Sequence, residues 1–193
     1  MIRKPALILC DKGNQEKVRA IIHALGESSL ALNYTLRTVP LQSPITTVPN
    51  TMAAALYTIE KKSDGLFSVV TDADRKKFKT NIFAIIMQKG TTVADHQGPA
   101  ILFCATAMTK FEHENLDANM VSWGEAVPLQ FKVRSLVKES GKKFYEAITE
   151  VYGEPTSEMS PYEIVTGQDE YDWMLRSVSD LFKIDNLKKI ILS

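Results

Sequence analysis

The sequence predicts a mixed α/β fold, and three features of its first half carry that prediction. A continuous apolar run of strand length, ALILC at 6–10, is typical of a strand buried on both faces. An amphipathic helix pattern follows, in which apolar residues recur at i, i+3, i+4 and i+7 from Val18. The alternating stretch LALNYTLRTV at 30–39 predicts a second strand. Ala6 to Val39 is therefore predicted to form a β–α–β unit, with the apolar run as an interior strand.

The middle of the chain predicts a second helix and three further strands. TMAAALYTIEKK at 51–62 has a helical apolar face, which Asn50 can cap and which Asp64-Gly65 is expected to break. Apolar runs of strand length follow as LFSVVT, NIFAIIMQ and PAILFCATA. The stretch KGTTVADHQG between the last two is expected to be a long hairpin loop.

The last third predicts mainly helices. MVSWGEAV is expected to be extended, and PLQFKVRSLVKES is expected to begin a helix at Pro128, since proline fits a first helical turn. KKFYEAITEVYG and DEYDWMLRSVSDLF are amphipathic, and LKKIILS fits a strand or a helix. We therefore predict a single domain, 1–193, of the α/β or mixed α+β class with about five or six strands.

Composition excludes several classes of function. Lys+Arg and Asp+Glu balance at 23 each, which argues against general nucleic-acid binding because such proteins need a basic surplus. The basic cluster RKKFK at 75–79 is expected to be a solvated loop. Cys10 and Cys104 lie in apolar runs and are expected to be buried thiols in a reducing compartment. We see neither a signal peptide nor a membrane-spanning run, so a cytoplasmic protein without membrane association is expected.

The stretch DKGNQEK at 11–17 joins the first strand to the first helix. A helix N-terminus after a buried strand offers free N–H groups and a partial positive charge, which suit an anion. Gly13 allows a tight turn, Asn14 can cap the helix and contact a phosphate, and Lys12 and Lys17 supply cations. These residues are the candidate phosphate site. The alternative is that Asn14 is only an N-cap and that both lysines are solvated.

The same stretch resembles the N-terminal signature of the inosine/xanthosine triphosphatase superfamily, the house-cleaning NTP pyrophosphatases. In that signature a Ser or Thr, an Asn and a Lys spaced T-x-N-x-x-K bind phosphate. Asn14 and Lys17 match, whereas Lys12 occupies the hydroxyl position. The resemblance implies an elongated mixed sheet flanked by helices, with a purine nucleotide in a cleft between two lobes.

The resemblance also implies a Mg²⁺-assisted attack of water that releases pyrophosphate, which requires carboxylates. The family carries an acid before its Ala-rich second helix, where this chain has Asn50 or Thr51. It presents another carboxylate after the next strand, where this chain has TDAD. Asp72 is therefore the candidate metal ligand and catalytic group, with Asp74 second. The alternative is a turn in which aspartate caps a helix.

Three hypotheses follow. The favoured one is a nucleotide-binding member of this fold with weakened or lost hydrolysis, because the hydroxyl and one acid are missing. The second is an active Mg²⁺-dependent pyrophosphatase, and the third is a non-enzymatic α/β structural or protein-interaction module. The resemblance and the aliphatic richness of the chain also predict a homodimer.

Overall fold

The computed structural model describes residues 5–13, 15–27, 33–41, 48–95, 98–111, 120–154 and 159–183. Within these ranges the strands and helices follow in the order β1 (Ala6–Asp11), α1 (Gln15–Glu27), β2 (Tyr34–Val39), α2 (Met52–Phe67), α3 (Asp72–Phe78), β3 (Ile82–Thr91), β4 (Ile101–Lys110), β5 (Met120–Ser122), β6 (Val127–Pro128), α4 (Phe131–Lys138), α5 (Phe144–Tyr152), α6 (Pro161–Thr166) and α7 (Glu170–Leu181). In these ranges, no helix combines the length and apolar character that crossing a bilayer requires. Asn14 and the stretch LKKIILS at 187–193 lie outside the described residues.

The strands form one mixed sheet in the order β2-β1-β3-β4-β5, with β6 also paired to β4. β1 is parallel to both β2 and β3, whereas β3 and β4 form a long antiparallel hairpin. The mixed α+β class is therefore confirmed. The predicted β–α–β start is confirmed too, with β1 in the interior of the sheet, because its side chains are apolar on both faces.

Each face of the sheet has its own hydrophobic core. Ile8 and Cys10 of β1 point towards α1 and α7, where Trp173 is fully buried and stacks on Tyr162 with ring centroids 4.3 Å apart. Leu7 and Leu9 point to the other face and pack with α2 and α3. Successive side chains of a strand alternate between faces, so a continuous apolar run is the sequence that a doubly covered strand needs.

The prediction of a strand at 66–71 was wrong. The second helix does not break at Asp64-Gly65 but continues to Phe67, and Thr71 then caps α3. Gly65 lies within the helix, and a Cβ at this position would approach Leu41 Cδ2 to 2.9 Å. Close packing against Leu41 therefore explains the glycine. Residues 75–78 of the cluster RKKFK belong to α3 rather than to a loop, Lys79 is the C-cap, and Phe78 is buried.

Two predicted helix starts were also wrong. Pro128 lies in β6, opposite Ile101, and the helix begins at Phe131. Thr51, not Asn50, caps the second helix, because its side chain accepts the N–H of Ala54. Pairing with Ile101 in the sheet keeps Pro128 out of the helix. The cap differs from the prediction by one residue, and a local hydrogen bond of Thr51 decides it.

Candidate functional site

The turn after β1 is held by a carboxylate of its own. Asp11 Oδ1 accepts the N–H of Gly13 at 2.9 Å, and the N–H of Lys12 donates to Val39 O at 2.8 Å. A Cβ on Gly13 would lie 3.2 Å from Asp11 Oδ1, so glycine allows the carboxylate to approach the backbone. Gly13 therefore has the role in a tight turn that the sequence predicted, and Lys12 is exposed.

Lys17 returns from the first turn of α1 to the sheet. Its Nζ donates to Met87 O at 3.1 Å. The last β1–β3 pair is Cys10 with Ile85, and β3 continues beyond it to Thr91. Met87 thus lies in the part of β3 that extends beyond the end of its pairing with β1, and the ammonium of Lys17 donates to its carbonyl oxygen. Lys17 is therefore held at the sheet, and its predicted contact with a phosphate stays a prediction.

Two further lysines approach from other elements. Lys62 of α2 donates to Gln88 Oε1 at 3.0 Å, and Gln88 Nε2 donates to Lys89 O at 2.7 Å. Gln88 is only 8% exposed. Lys17 comes from the α1 face of the sheet and Lys62 from the α2 face, so the two meet around the end of β1. We call the group Asp11, Lys17, Lys62, Gln88 and Lys89 the lysine cleft.

The pKa values show that the lysine cleft is short of negative charge. Burial, together with the neighbouring charges of Lys62 and Lys89, lowers the pKa of Lys17 to about 8, while Asp11 opposes them. Burial also lowers the pKa of Lys62, again against Asp11. A bound anion would reverse both effects, because an opposite charge nearby favours the ammonium form.

Lys89 is partly neutralised by Glu170 of α7, whose Oε2 lies 2.8 Å from Lys89 Nζ. The other oxygen, Oε1, is buried without a hydrogen-bond partner within the described ranges. The Cys104 thiol lies nearby, and burial raises its pKa to about 11 despite Lys17. It is therefore a neutral core thiol and not a nucleophile. Burial raises the pKa of Cys10 to about 11 as well, and both cysteines are free, as the sequence predicted.

Asp72 and Asp74 are not drawn into the lysine cleft. Both lie in α3, which leads into the amino end of β3, whereas Lys17 binds β3 in its second half. Asp74 is buried and receives two hydrogen bonds from Arg37, at 2.8 and 2.9 Å. Thr71 donates to it through both N–H and Oγ, which completes a capping box.

These contacts hold the pKa of Asp74 well below its usual range, with the Arg37 hydrogen bond as the largest cause. Asp72 is exposed in the first turn of the same helix. The arrangement agrees with the alternative interpretation of TDAD, in which aspartate caps a helix.

The described carboxylates near the lysine cleft are too few for a magnesium site, which needs several oxygen ligands. In the described part of the chain, no group of three or more His, Cys, Asp or Glu side chains could hold a metal ion. Asp11 is the carboxylate that acts on Lys17 and Lys62, and one of its oxygens already accepts the Gly13 N–H. These residues do not fit a protein-built magnesium site. Magnesium therefore stays an expectation of the resemblance.

The lysine cleft lies at the carboxyl ends of two parallel neighbours, β1 and β3. From β1 the chain passes through α1 to β2, and from β3 it passes in the other direction to β4 as an antiparallel hairpin. In open α/β sheets, ligands bind at the carboxyl ends of parallel strands where the connections diverge. Asp11 ends β1 at this position, and Lys17 reaches it from α1.

Sequence reasoning missed Lys62 and Lys89. Lys62 had a signal, because it follows the buried Thr58 and Ile59 of α2 by one turn and so occupies a core-facing position. Lys89 gave no such signal, because it follows the apolar run of β3 and lies in the polar end of that strand, between Gln88 and Gly90. A lysine at a position that the periodicity assigns to the core indicates a functional role better than a lysine in a polar loop.

Comparisons with known proteins support the fold. No protein-family model matches the chain, and a search of curated proteins finds no match. Among solved structures, the crystal structure of protein VC0702 from Vibrio cholerae superposes with a TM-score of 0.58 over 95% of this chain and 97% of that one. The two sequences are 11% identical, so this likeness describes the fold alone.

Proposed function

We propose that this protein binds a phosphate-bearing ligand, a purine nucleotide in the first instance, in the lysine cleft, and that its capacity for hydrolysis is weakened or lost. The observation that carries the proposal is the convergence of Lys17, Lys62 and Lys89 from three different elements on the carboxyl ends of β1 and β3. Lysines outnumber carboxylates there, which favours an anion over a cation.

The chemistry of the cleft suits a polyphosphate chain. Its ammonium groups come from both faces of the sheet, so an extended anion can contact more than one of them. Charge-assisted hydrogen bonds of lysine to phosphate are roughly twice as strong as neutral ones. The depressed pKa of Lys17 adds a further gain, because the ligand also relieves the repulsion among the lysines.

Weakened hydrolysis follows from the carboxylates. Both carboxylate oxygens of Asp74 accept hydrogen bonds from Arg37, and one of them also accepts from Thr71. Asp74 therefore cannot serve as a base without breaking the capping box of α3. Asp11 is engaged with the Gly13 N–H. A hydrolytic site needs a carboxylate that is free to orient water, and the described residues of the cleft supply cations instead.

The proposal is tested by titrating the protein with inorganic pyrophosphate and with ITP, XTP and GTP, with and without Mg²⁺. We expect wild type to bind at least one nucleotide, and Lys62→Met to weaken that binding roughly tenfold, since one charged hydrogen bond contributes about 1.5 kcal/mol. Lys76→Met, on the exposed side of α3, is the matched control and should bind like wild type.

Pyrophosphate release is measured in the same samples. Binding without release above background supports the proposal. Release that Lys62→Met reduces would instead establish an active pyrophosphatase. Failure of wild type to bind any of these ligands at millimolar concentration would leave the lysine cleft as a structural feature and refute the proposal.

Nucleotide binding should also take up protons. Lys17 has a pKa of about 8 in the free protein, so at pH 8 about half of the molecules carry it neutral, and a bound triphosphate raises its pKa again. Calorimetric titration with ITP at pH 8 in buffers of different ionisation enthalpy should report an uptake of about half a proton. At pH 6 the uptake through Lys17 should vanish. An uptake at pH 8 that persists in Lys17→Met would assign the proton to another group.

A further inference from the structure

Glu170 carries a carboxylate oxygen that the fold leaves without a hydrogen-bond partner. Its side chain is only 8% exposed at the start of α7, and its Oε2 lies 2.8 Å from Lys89 Nζ. The second oxygen, Oε1, is shut off from solvent, and none of the described residues donates to it. A buried acceptor without a partner is unfavourable, and more so when the group is charged. The ion pair with Lys89 therefore accounts for one oxygen of Glu170 but not for the other.

This carboxylate lies beside the lysine cleft, on the face of the sheet that carries α1 and α7. Burial raises the pKa of the Cys104 thiol, and the charges of Lys17, Lys89 and Glu170 also act on it, so the four side chains lie close together. Cys104 packs in the core of that face. Lys17 donates there to Met87 O, and Lys89 to Glu170 Oε2. A ligand bound in the lysine cleft therefore comes close to Glu170.

The position of Glu170 suits the sugar of a nucleotide rather than its phosphates. Met87 and Lys89 are two residues apart on one face of β3, so they lie about 6–7 Å apart along the strand. A phosphate near Lys17 thus places the next part of the ligand, the ribose, beside Lys89 and Glu170. Like charges repel, so the carboxylate of Glu170 disfavours a phosphate at this end of the cleft and suits a hydroxyl donor.

Lys89 leaves room for such a contact. Its side chain is 26% exposed while the carboxylate behind it is buried, so the approach to Glu170 runs past the flexible stem of this lysine. An ammonium group has three N–H donors, so Lys89 can keep its bond to Glu170 Oε2 while it contacts the ligand. The oxygen that then remains for the ligand is Oε1.

We propose that Glu170 makes the lysine cleft selective for ribonucleotides, because its Oε1 accepts a hydrogen bond from a ribose hydroxyl. This inference rests on the proposed function and adds the class of nucleotide. A site with a buried acceptor for a hydroxyl rejects an analogue that lacks the hydroxyl, since the acceptor then stays unpaired. The free protein already carries this unpaired oxygen. A ribose hydroxyl satisfies it, whereas a deoxyribose does not.

Titration calorimetry on the full chain tests the selectivity. The probes are inorganic pyrophosphate and whichever of ITP, XTP and GTP binds most tightly, together with the 2′-deoxy and 3′-deoxy forms of that nucleotide. Wild type should bind at least one deoxy form roughly tenfold or more weakly than the ribonucleotide. Glu170→Gln keeps the shape of the side chain and should lower that ratio about threefold or more, because the amide group is no longer a charged acceptor. Glu139→Gln, which changes an exposed glutamate at the end of α4, is the control and should keep the wild-type ratio.

Pyrophosphate separates this role from a structural one. It has no sugar, and Glu170→Gln removes a negative charge, so the variant should bind pyrophosphate at least as tightly as wild type. If Glu170 only tied α7 to β3, its loss would weaken pyrophosphate and all nucleotides alike and leave the ratio unchanged. Smaller effects than expected, either for both deoxy forms in wild type or for the ratio in Glu170→Gln, overturn this inference and leave the proposed function standing. The wild-type comparison decides the matter even if the variant does not fold, and a wild type that binds none of the probes overturns both proposals.

Discussion

Replacing Lys17 with methionine is expected to stabilise the fold and to abolish most ligand binding. Burial and the nearby lysines lower the pKa of Lys17 to about 8, so folding at neutral pH must keep a charge where it is disfavoured. Each unit of pKa shift corresponds to about 1.4 kcal/mol, and losing the hydrogen bond to Met87 O offsets about 1 kcal/mol. We expect a net gain of about 1–2 kcal/mol in the free energy of unfolding at pH 6, or roughly 3–6 °C in melting temperature.

The pH dependence has a definite sign. Between pH 8 and the ordinary lysine pKa of 10.5, the unfolded chain binds more protons at Lys17 than the folded chain does, so wild-type stability rises with pH there. The advantage of Lys17→Met should therefore be full below pH 8 and shrink above it. Urea unfolding at pH 6, 8 and 10 measures this, and Lys76→Met, which changes an exposed lysine, should show no such trend.

The same variant should lose nucleotide affinity roughly thirty- to hundredfold, because a hydrogen bond to a charged, partly buried group contributes about 2–3 kcal/mol. A substitution that stabilises the protein while removing its function is the mark of a binding site, in which charge is held at a cost to folding. If Lys17→Met instead destabilised the protein and bound nucleotide normally, Lys17 would be a structural residue that ties α1 to β3.

The first half of the fold could be predicted because its local signals agree with its tertiary environment. An apolar run with no polar alternation requires cover on both faces, and β1 has it. The predicted helices α5 and α7 were confirmed for the same reason. Ile148 of α5 is buried, and so are Met174 and Val178 of α7, which lie one helical turn apart. Where apolar residues recur with one period over a sufficient length, the sequence predicts both the type of secondary structure and the face that is buried.

The stretch 66–71 shows why the rest could not be predicted. LFSVVT has the composition of a strand, but Leu66 completes the buried stripe of α2, and Val69 is 38% exposed. Periodicity cannot separate a short apolar strand from the end of a helix. This error also affected the site, because it placed the carboxylates Asp72 and Asp74 after a strand instead of in a capped helix.

The candidate site was predicted in part for a comparable reason. Of the lysine cleft, the strand–turn–helix signal singled out Lys17, whereas Lys12 is exposed, Gly13 serves the turn, and Asn14 lies outside the described residues. Lys62 and Lys89 join the same cleft only through the pairing of β1 with β3, a contact between distant segments. A single sequence does not show which residues of distant segments come together in such a cluster.

Arg37 and Asp74 form an ion pair, with 2.8 Å between Arg37 Nη2 and Asp74 Oδ1. Arg37→Met should destabilise the protein by about 2 kcal/mol at pH 7, because it leaves a buried carboxylate with only its Thr71 hydrogen bonds. The figure is below the range for a fully buried pair, since the Arg37 side chain is 38% exposed and water screens it.

The pH profile separates this role from a catalytic one. The pKa of Asp74 is depressed in the folded state, so its contribution is complete above about pH 4 and is lost as the pH falls towards its folded pKa. Wild type and Arg37→Met should therefore converge in stability at low pH, and Asp74→Asn should destabilise the protein at pH 7. Asp72→Asn, two residues away and exposed, is the control. Because α3 holds Asp74 for its cap, Asp74→Asn should leave nucleotide affinity unchanged once folding is corrected for, and a loss of turnover without a loss of stability would return Asp74 to the catalytic group.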